Sequence, residues 1–261
     1  MSRDTGFWKA LIGLTTKRRT RRANRQLGGL LAWVAGAVNA GGFLAVGRYT
    51  SHMTGIVSSV ADNIALGNFT LIIAGIVYVG AFVMGAITTT VLINWARRRR
   101  LHAEFALSLM LEALLLLLFG LLGANLNVLV AVFVPTTVLL LCFIMGLQNA
   151  IITKISSAEI RTTHVTGLLT DLSIEIGRLL YWNRVSEANV QFFVRADRDK
   201  LRIHTTILLL FFGGGLMGAF AFKTIGFFST VPIALVLMAI AAPPLYQDLR
   251  SYRTWLRGQS T

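Results

Sequence analysis

Residues 104–123 read EFALSLMLEALLLLLFGLLG, with five consecutive leucines following Glu112 and Ala113. The run lacks the period-two alternation of a membrane β-strand, and a spanning sheet would have to close into a barrel. Its length is close to the ~20 residues that an α-helix needs to cross the hydrocarbon core of a bilayer. The stretch therefore predicts a transmembrane helix.

Five further apolar runs extend this pattern along the chain: residues 27–47, 70–95, 127–151, 204–222 and 226–246. Of all 261 residues, 55% are hydrophobic and 14% are charged, and the mean hydropathy is +0.67. Soluble proteins average about 25% charged residues. These values exclude a disordered chain, a secreted disulfide scaffold and an ordinary soluble enzyme. We expect an all-α integral membrane protein with six transmembrane helices.

The basic residues follow the predicted spans. The formal net charge is +14, and 23 of the 25 Lys and Arg residues fall at the same ends of the six spans; Arg48 and Lys223 are the exceptions. Lys and Arg accumulate in the cytoplasmic loops of membrane proteins. This distribution predicts that both termini are cytoplasmic, and it makes the lipid bilayer, rather than nucleic acid, the expected partner.

An internal repeat relates the two halves. Residues 36–40 and 51–55 read GAVNA and SHMTG, and residues 146–150 and 163–167 read GLQNA and THVTG. The first segment recurs after 110 residues and the second after 112. Each copy holds three spans, and an odd number inverts the second copy relative to the first. Inverted repeats are a transporter architecture whose site lies near the membrane midplane.

These patterns divide the chain into four regions. They are a basic cytoplasmic arm (1–26), a first three-span repeat (27–123), a second, inverted three-span repeat (124–247) with a cytoplasmic insert (181–203), and a cytoplasmic tail (248–261).

Each repeat also contains a short, interrupted apolar segment, at residues 52–67 and 164–180. We interpret both as re-entrant or broken helices that enter from opposite faces. Such backbone is tolerated in a membrane only where protein buries it or where it lines a wet cavity.

Both short segments begin with His-x-Thr-Gly. We expect the threonine to cap the first turn by accepting a bond from a backbone N–H, while the glycine lets another group approach the backbone. A helix N-terminus favours an anionic or polar ligand. The alternative is a structural cap whose histidine bonds a neighbouring carbonyl. The motif residues assigned to substrate binding are His52, Thr54, Gly55, His164, Thr166 and Gly167.

Three amides lie just before the short segments: Asn39, Gln148 and Asn149. Such side chains often join membrane helices through hydrogen bonds. The other interpretation, which we include in the substrate site, is that they line a polar pathway.

Four carboxylates fall within apolar segments and are candidates for proton or ion coupling: Asp62, Glu112, Asp171 and Glu175. Intramembrane carboxylates are costly and often functional. Asp62 and Asp171 are not equivalent in the repeat, so any carboxylate chemistry would be asymmetric. For Glu112, a structural pairing with a polar side chain is the alternative.

Small residues recur at intervals of four or five in the spans, as at Gly36, Gly214 and Gly218, and at Gly80 and Gly85. Such spacing favours close helix packing.

The sequence contains no common enzyme motif. The four histidines lack metal-ligand spacing, the single cysteine is Cys142, and neither a phosphate loop nor a nucleophile elbow occurs. We expect a protein that is not an enzyme and that has no cofactor or bound metal.

The repeated signatures, with AGAVNAGGF at residues 35–43, resemble the YoaK-like family of bacterial membrane proteins over about residues 27–246. The family pattern usually has Asp at the position of Asn39 and Asn at the position of Ile56. The resemblance implies a multi-span protein of the inner membrane and supplies no substrate.

The flipped repeat and the matched short segments favour a small secondary permease that moves a small polar or anionic solute by alternating access. One alternative is a non-transporting scaffold or regulator whose basic arm and insert bind a cytosolic partner or anionic lipid. A passive channel would share the permease's architecture. The sequence leaves open whether the chain forms a homodimer.

Overall fold

A computed structural model describes residues 20–47, 49–101, 103–124, 130–155, 163–181 and 194–258. Within these ranges all regular structure is helical, as the sequence predicts. The elements are α1 (Arg21–Val46), α2 (Met53–Leu66), α3 (Phe69–Arg98), α4 (Ala106–Ala124), α5 (Val130–Ile155), α6 (Val165–Leu180), α7 (Arg198–Ile225), a 3₁₀ turn (Gly226–Ser229) and α8 (Thr230–Gly258). Most of the predicted arm and residues 182–193 of the insert lie outside the described residues.

Five continuous helical stretches are long and apolar enough to cross a membrane: Ala23–Val46, Phe69–Arg98, Ala106–Gly123, Pro135–Ile155 and Arg198–Ser251. The last is 54 residues long and contains α7 and α8 as far as Ser251. It is divided at Gly226, which has a φ of 61° that favours glycine. This is the architecture of a helical membrane protein, whereas six separate crossings stay a prediction.

Several helices are longer than the apolar runs. α3 continues to Arg98, and α7 begins at Arg198, six residues before the predicted span. Hydropathy detects the segment that suits hydrocarbon, but backbone hydrogen bonding continues the helix into the polar interface. The extra turns lie at the basic ends of these spans.

Glycines join the first and second halves of the chain at two helix crossings. A Cβ on Gly36 of α1 would overlap the carbonyl oxygen of Phe211 in α7, and a Cβ on Gly146 of α5 would overlap that of Phe82 in α3. Gly36 and Gly146 are equivalent in the repeat. The prediction of glycine packing is confirmed at these crossings, but Gly80 has no neighbour that its Cβ would meet.

The order of contacts gives the direction of each helix pair. In α1 and α7, Gly29 lies against Leu210 and Gly41 against Phe222, so these helices are parallel. In α4 and α8 the order is reversed, because Gly120 lies against Thr230 while the Ala103 N–H, just before α4, donates to Asp248. α4 and α8 are therefore antiparallel.

The two central helices, α1 and α5, also run in opposite directions. Gly42 lies against Leu141, whereas the Leu31 carbonyl accepts a hydrogen bond from Gln148 Nε2. Gly42, the later of the two α1 residues, thus meets Leu141, the earlier of the two α5 residues, so the helices are antiparallel. The buried core lies among α1, α4, α5 and α8 and includes Leu31, Leu109 and Leu147.

The short helices lie at the outside of this bundle. α2 packs on α3 and α6 packs on α7. Asn63 is the buried residue of α2, and Leu168 and Glu175 are those of α6. We expected protein to enclose both helices. Each instead packs mainly on one helix, and the rest of its surface is largely exposed.

Candidate functional site

The two repeats share a hydrogen bond at the turn before each short helix. Ser51 Oγ donates to Asn39 Oδ1 at 2.8 Å, and Thr163 Oγ donates to Asn149 Oδ1. Asn39 and Asn149 are equivalent in the repeat, as are Ser51 and Thr163. Each amide thus connects the end of a long helix to the residue before the histidine. This contact agrees with the structural interpretation of the two asparagines.

The capping prediction for Thr54 and Thr166 is wrong. The N-cap residues are His52 and His164, with φ of −87° in both, and neither imidazole makes a capping hydrogen bond. Each threonine lies one residue inside its helix. The tight turn fixed by the Asn39–Ser51 contact starts the helix two residues earlier than the Thr-Gly pair suggested.

The glycines of the motifs differ in what surrounds them. A Cβ on Gly55 would overlap the imidazole of His52, so the ring lies directly against the glycine backbone. The nearest neighbour of a Cβ on Gly167 would be His164 Cβ, at 4.0 Å. The close approach that the sequence predicts occurs at Gly55 and is filled by the preceding histidine.

A cavity of about 300 Å³ opens beside His52, between α1, α2 and α3. Its polar groups are the His52 imidazole, the Ser59 hydroxyl and the phenols of Tyr49 and Tyr78. The complete lining is Phe43, Gly47, Tyr49, His52, Gly55, Ile56, Ser59, Leu71, Gly75 and Tyr78. Sequence reasoning missed both tyrosines and Ser59, because neither tyrosine falls within a repeated motif. All residues that line the cavity belong to the first repeat, and its size suits a small polar molecule.

Contacts with α3 give the direction of α2. Gly75 lies against Val60, and Asn68 Nδ2, just before α3, donates to Asn63 Oδ1 at 3.3 Å, so α2 runs back along α3. Tyr78 lines the same cavity as His52. Tyr78 is nine residues into α3, or about 14 Å along it. The N-terminus of α2 therefore faces the middle of α3, and its C-terminus faces the start of α3.

The carboxylates of the short helices have local roles or are exposed. Glu175 is 4% exposed, and it accepts hydrogen bonds from Arg178 at 2.9 Å and from the Asp197 backbone N–H at 2.7 Å. It thereby connects α6 to the start of α7. Asp62 and Asp171 are exposed. These contacts favour a structural role for Glu175.

Glu112 differs from every other acidic candidate. It is 0% exposed, and neither of its carboxyl oxygens has a hydrogen-bond partner. The hydroxyl of Ser108, one helical turn earlier, is likewise buried without a partner. The expected alternative of a structural pairing with a polar side chain is therefore absent around Glu112 in the described residues.

Gln148 is a second buried polar residue with an incomplete set of bonds. Its Nε2 donates to the Leu31 carbonyl at 3.3 Å across the α1–α5 crossing, but its Oε1 has no partner. The amide thus joins two helices and also leaves an acceptor free in the protein interior.

The predicted site residues do not form one cluster. Asn39 and His52 belong to the α1–α3 side, whereas Asn149 and His164 belong to the α5–α7 side. α2 and α6 form no extensive contact with each other among the described residues. Because α1 and α5 are antiparallel, the turns that follow them lie toward opposite ends of the bundle.

Residues 27–242 match the family described as a protein of unknown function, DUF1275. The chain belongs to this family. It is also 29% identical, over 156 residues, to the UPF0700 transmembrane protein YoaK of Bacillus subtilis (strain 168), an alignment covering 58% of this chain and 67% of that protein. The resemblance to the YoaK-like family is thereby confirmed. No solved structure matches the chain.

Proposed function

We propose that this YoaK-like membrane protein is a small secondary permease that moves a small polar or anionic solute across the inner membrane by alternating access. The observation that carries the proposal is the direction of the equivalent helices. α1 and α5 are equivalent in the repeat and antiparallel, and the third spans of the two copies, α4 and α8, are antiparallel as well. Antiparallel equivalents are the signature of an inverted repeat.

The cross-repeat packing supports the same interpretation. α1 packs on α7, and their equivalents α5 and α3 pack on each other, both through glycine contacts at matching positions. A pseudo-two-fold axis in the membrane plane would relate the α1–α7 pair to the α5–α3 pair. Alternating access then requires the two repeats to rock against each other, and glycine surfaces without protruding side chains suit such movement.

We place the solute near the His-x-Thr-Gly motifs. The N-terminus of α2 faces the middle of α3, and the cavity beside it is lined by His52, Tyr49 and Tyr78. A helix N-terminus and an imidazole N–H both suit an anionic or polar group. The matched turn before His164 would serve the opposite face of the membrane.

The basic residues set the proposed orientation. The N-terminal arm, the Arg97–Arg100 cluster and the start of α7 all lie at the same ends of the proposed spans, and positive charge marks the cytoplasmic side. Both termini are then cytoplasmic, and α7 and α8 are the fifth and sixth crossings.

Flux in proteoliposomes tests the proposal. Purified protein is reconstituted and assayed with a panel of small labelled anions and polar solutes under an imposed gradient. We expect solute uptake by the wild-type protein and at least a tenfold loss in His52→Ala and His164→Ala. The matched control is Thr88→Ala on α3, whose exposed hydroxyl bonds only its own helix, at Met84 O, and whose loss should leave flux unchanged.

Two outcomes would contradict the permease. One is a correctly folded wild-type protein that moves no member of a broad panel. The other is full flux in both histidine variants, which would exclude the motifs from the pathway.

A further inference from the structure

Glu112 lies in an unusual environment for a carboxyl group. It is in the first half of α4, within the buried core to which Leu109 and Leu116 of α4 belong. α8, which packs on α4, contributes Ala234, Leu237 and Ala241 to that same core. A carboxylate without hydrogen bonds in such surroundings is very costly, so the group is expected to be a neutral acid in this conformation.

The charged groups of the neighbouring elements do not compensate Glu112. On α3, Arg97 pairs with Glu104 at 3.0 Å. On α8, Asp248 accepts from the Ala103 N–H before the start of α4. On α5, the titratable groups among the described residues are Cys142, which is buried, and Lys154 in the last turn. The 3₁₀ turn has none.

The chemistry around the carboxyl group suits a proton better than a metal cation. Ser108, four residues earlier and thus on the same face of α4, adds a second oxygen-bearing side chain without a partner. Calcium requires six to eight oxygen ligands, and magnesium requires about six in a strict geometry. A proton needs one carboxyl oxygen, and the resulting O–H group can donate a hydrogen bond.

We propose that Glu112 is the proton-binding residue of this protein, alternately a neutral acid in the closed α4–α8 packing and a carboxylate when water reaches it. In the release step the carboxyl O–H bond breaks, the proton passes to a water molecule, and the carboxylate remains; binding is the reverse. This inference rests on the proposed permease function. It selects Glu112 over Asp62, Asp171 and Glu175, which are exposed or bonded locally.

Infrared difference spectroscopy tests the protonation state without any solute. Wild-type protein in liposomes is compared with Glu112→Gln at neutral pH, and Glu104→Gln is the matched control, since Glu104 is also buried but paired with Arg97. We expect a carboxylic-acid carbonyl band in the wild type that is lost in Glu112→Gln and kept in Glu104→Gln. An identical band in Glu112→Gln would overturn the assignment.

Transport under a pH gradient tests the coupling. In Glu112→Gln we expect pH-driven accumulation to fall to the level reached without a gradient, while Glu104→Gln accumulates solute as the wild type does. Accumulation equal to the wild type in a folded Glu112→Gln protein would overturn the proposal. If the wild type moves no solute, the permease fails, whereas the infrared result still decides whether Glu112 holds a proton.

Discussion

Gly55 and Gly167 occupy equivalent positions in the two His-x-Thr-Gly motifs, yet their surroundings differ. A Cβ on Gly55 would overlap the His52 ring, whereas one on Gly167 would meet nothing closer than 4.0 Å. We therefore expect Gly55→Ala to displace the imidazole, which is exposed and can rotate away, and to lower the free energy of unfolding by about 0.5 kcal/mol or less. Gly167→Ala should be neutral or stabilising by up to about 1 kcal/mol, because alanine favours a helix.

Thermal unfolding of both variants in detergent measures this difference. The Gly167→Ala protein is the control for the general effect of alanine in a short helix. A midpoint for Gly55→Ala far below that of Gly167→Ala would contradict this, because it would show that the His52 ring is held in place against Gly55.

The same motif shows what a sequence can and cannot predict at the scale of a residue. The equivalence of Asn39 and Asn149 was visible in the repeat, and the two side chains make equivalent bonds. The N-cap was placed wrongly at threonine, since a capping side chain was assumed where the turn itself fixes the start of the helix. The missing partners of Glu112 were not predictable, because they depend on which helices pack around α4.

The crossings between the two halves depend on glycine at specific positions of long helices. Gly146 of α5 lies against the backbone of Phe82 in α3, while Gly80, on the exposed surface of the same α3, has open space around it. Gly146→Ala should separate α3 and α5 and lower the free energy of unfolding by about 1–3 kcal/mol. Gly80→Ala should not destabilise the protein.

The temperature at which each variant loses its monodisperse peak in size-exclusion chromatography reports this effect. Unchanged stability of Gly146→Ala would mean that the α3–α5 crossing is loose enough to accept a methyl group.

At the scale of elements, hydropathy predicted which segments become long helices, because it reports how well a segment suits hydrocarbon. It did not predict that α2 and α6 lie outside the bundle. Their apolar residues are compatible with either an interior or a peripheral location, and the choice depends on the helix on which each mainly packs. Because much of the surface of α2 and α6 is exposed, the proposed rocking of the two repeats would break few contacts of these helices.

The whole molecule is organised, in our proposal, as two copies with opposite orientation in the membrane. Val57 and Leu169 are equivalent in the repeat, and their side chains are 55% and 45% exposed. Cysteines at these positions, on a Cys142→Ala background, report the face of the membrane that each short helix reaches. We expect a membrane-impermeant maleimide to label Val57→Cys in intact cells and Leu169→Cys only after permeabilisation.

Ser251→Cys, near the basic end of α8, provides the matched cytoplasmic control, and the Cys142→Ala protein itself should remain unlabelled. If α1 and α5 cross the membrane in opposite directions, the turns that follow them must emerge on opposite sides. Labelling of positions 57 and 169 from the same side would therefore remove the inverted repeat, and with it the structural basis for alternating access.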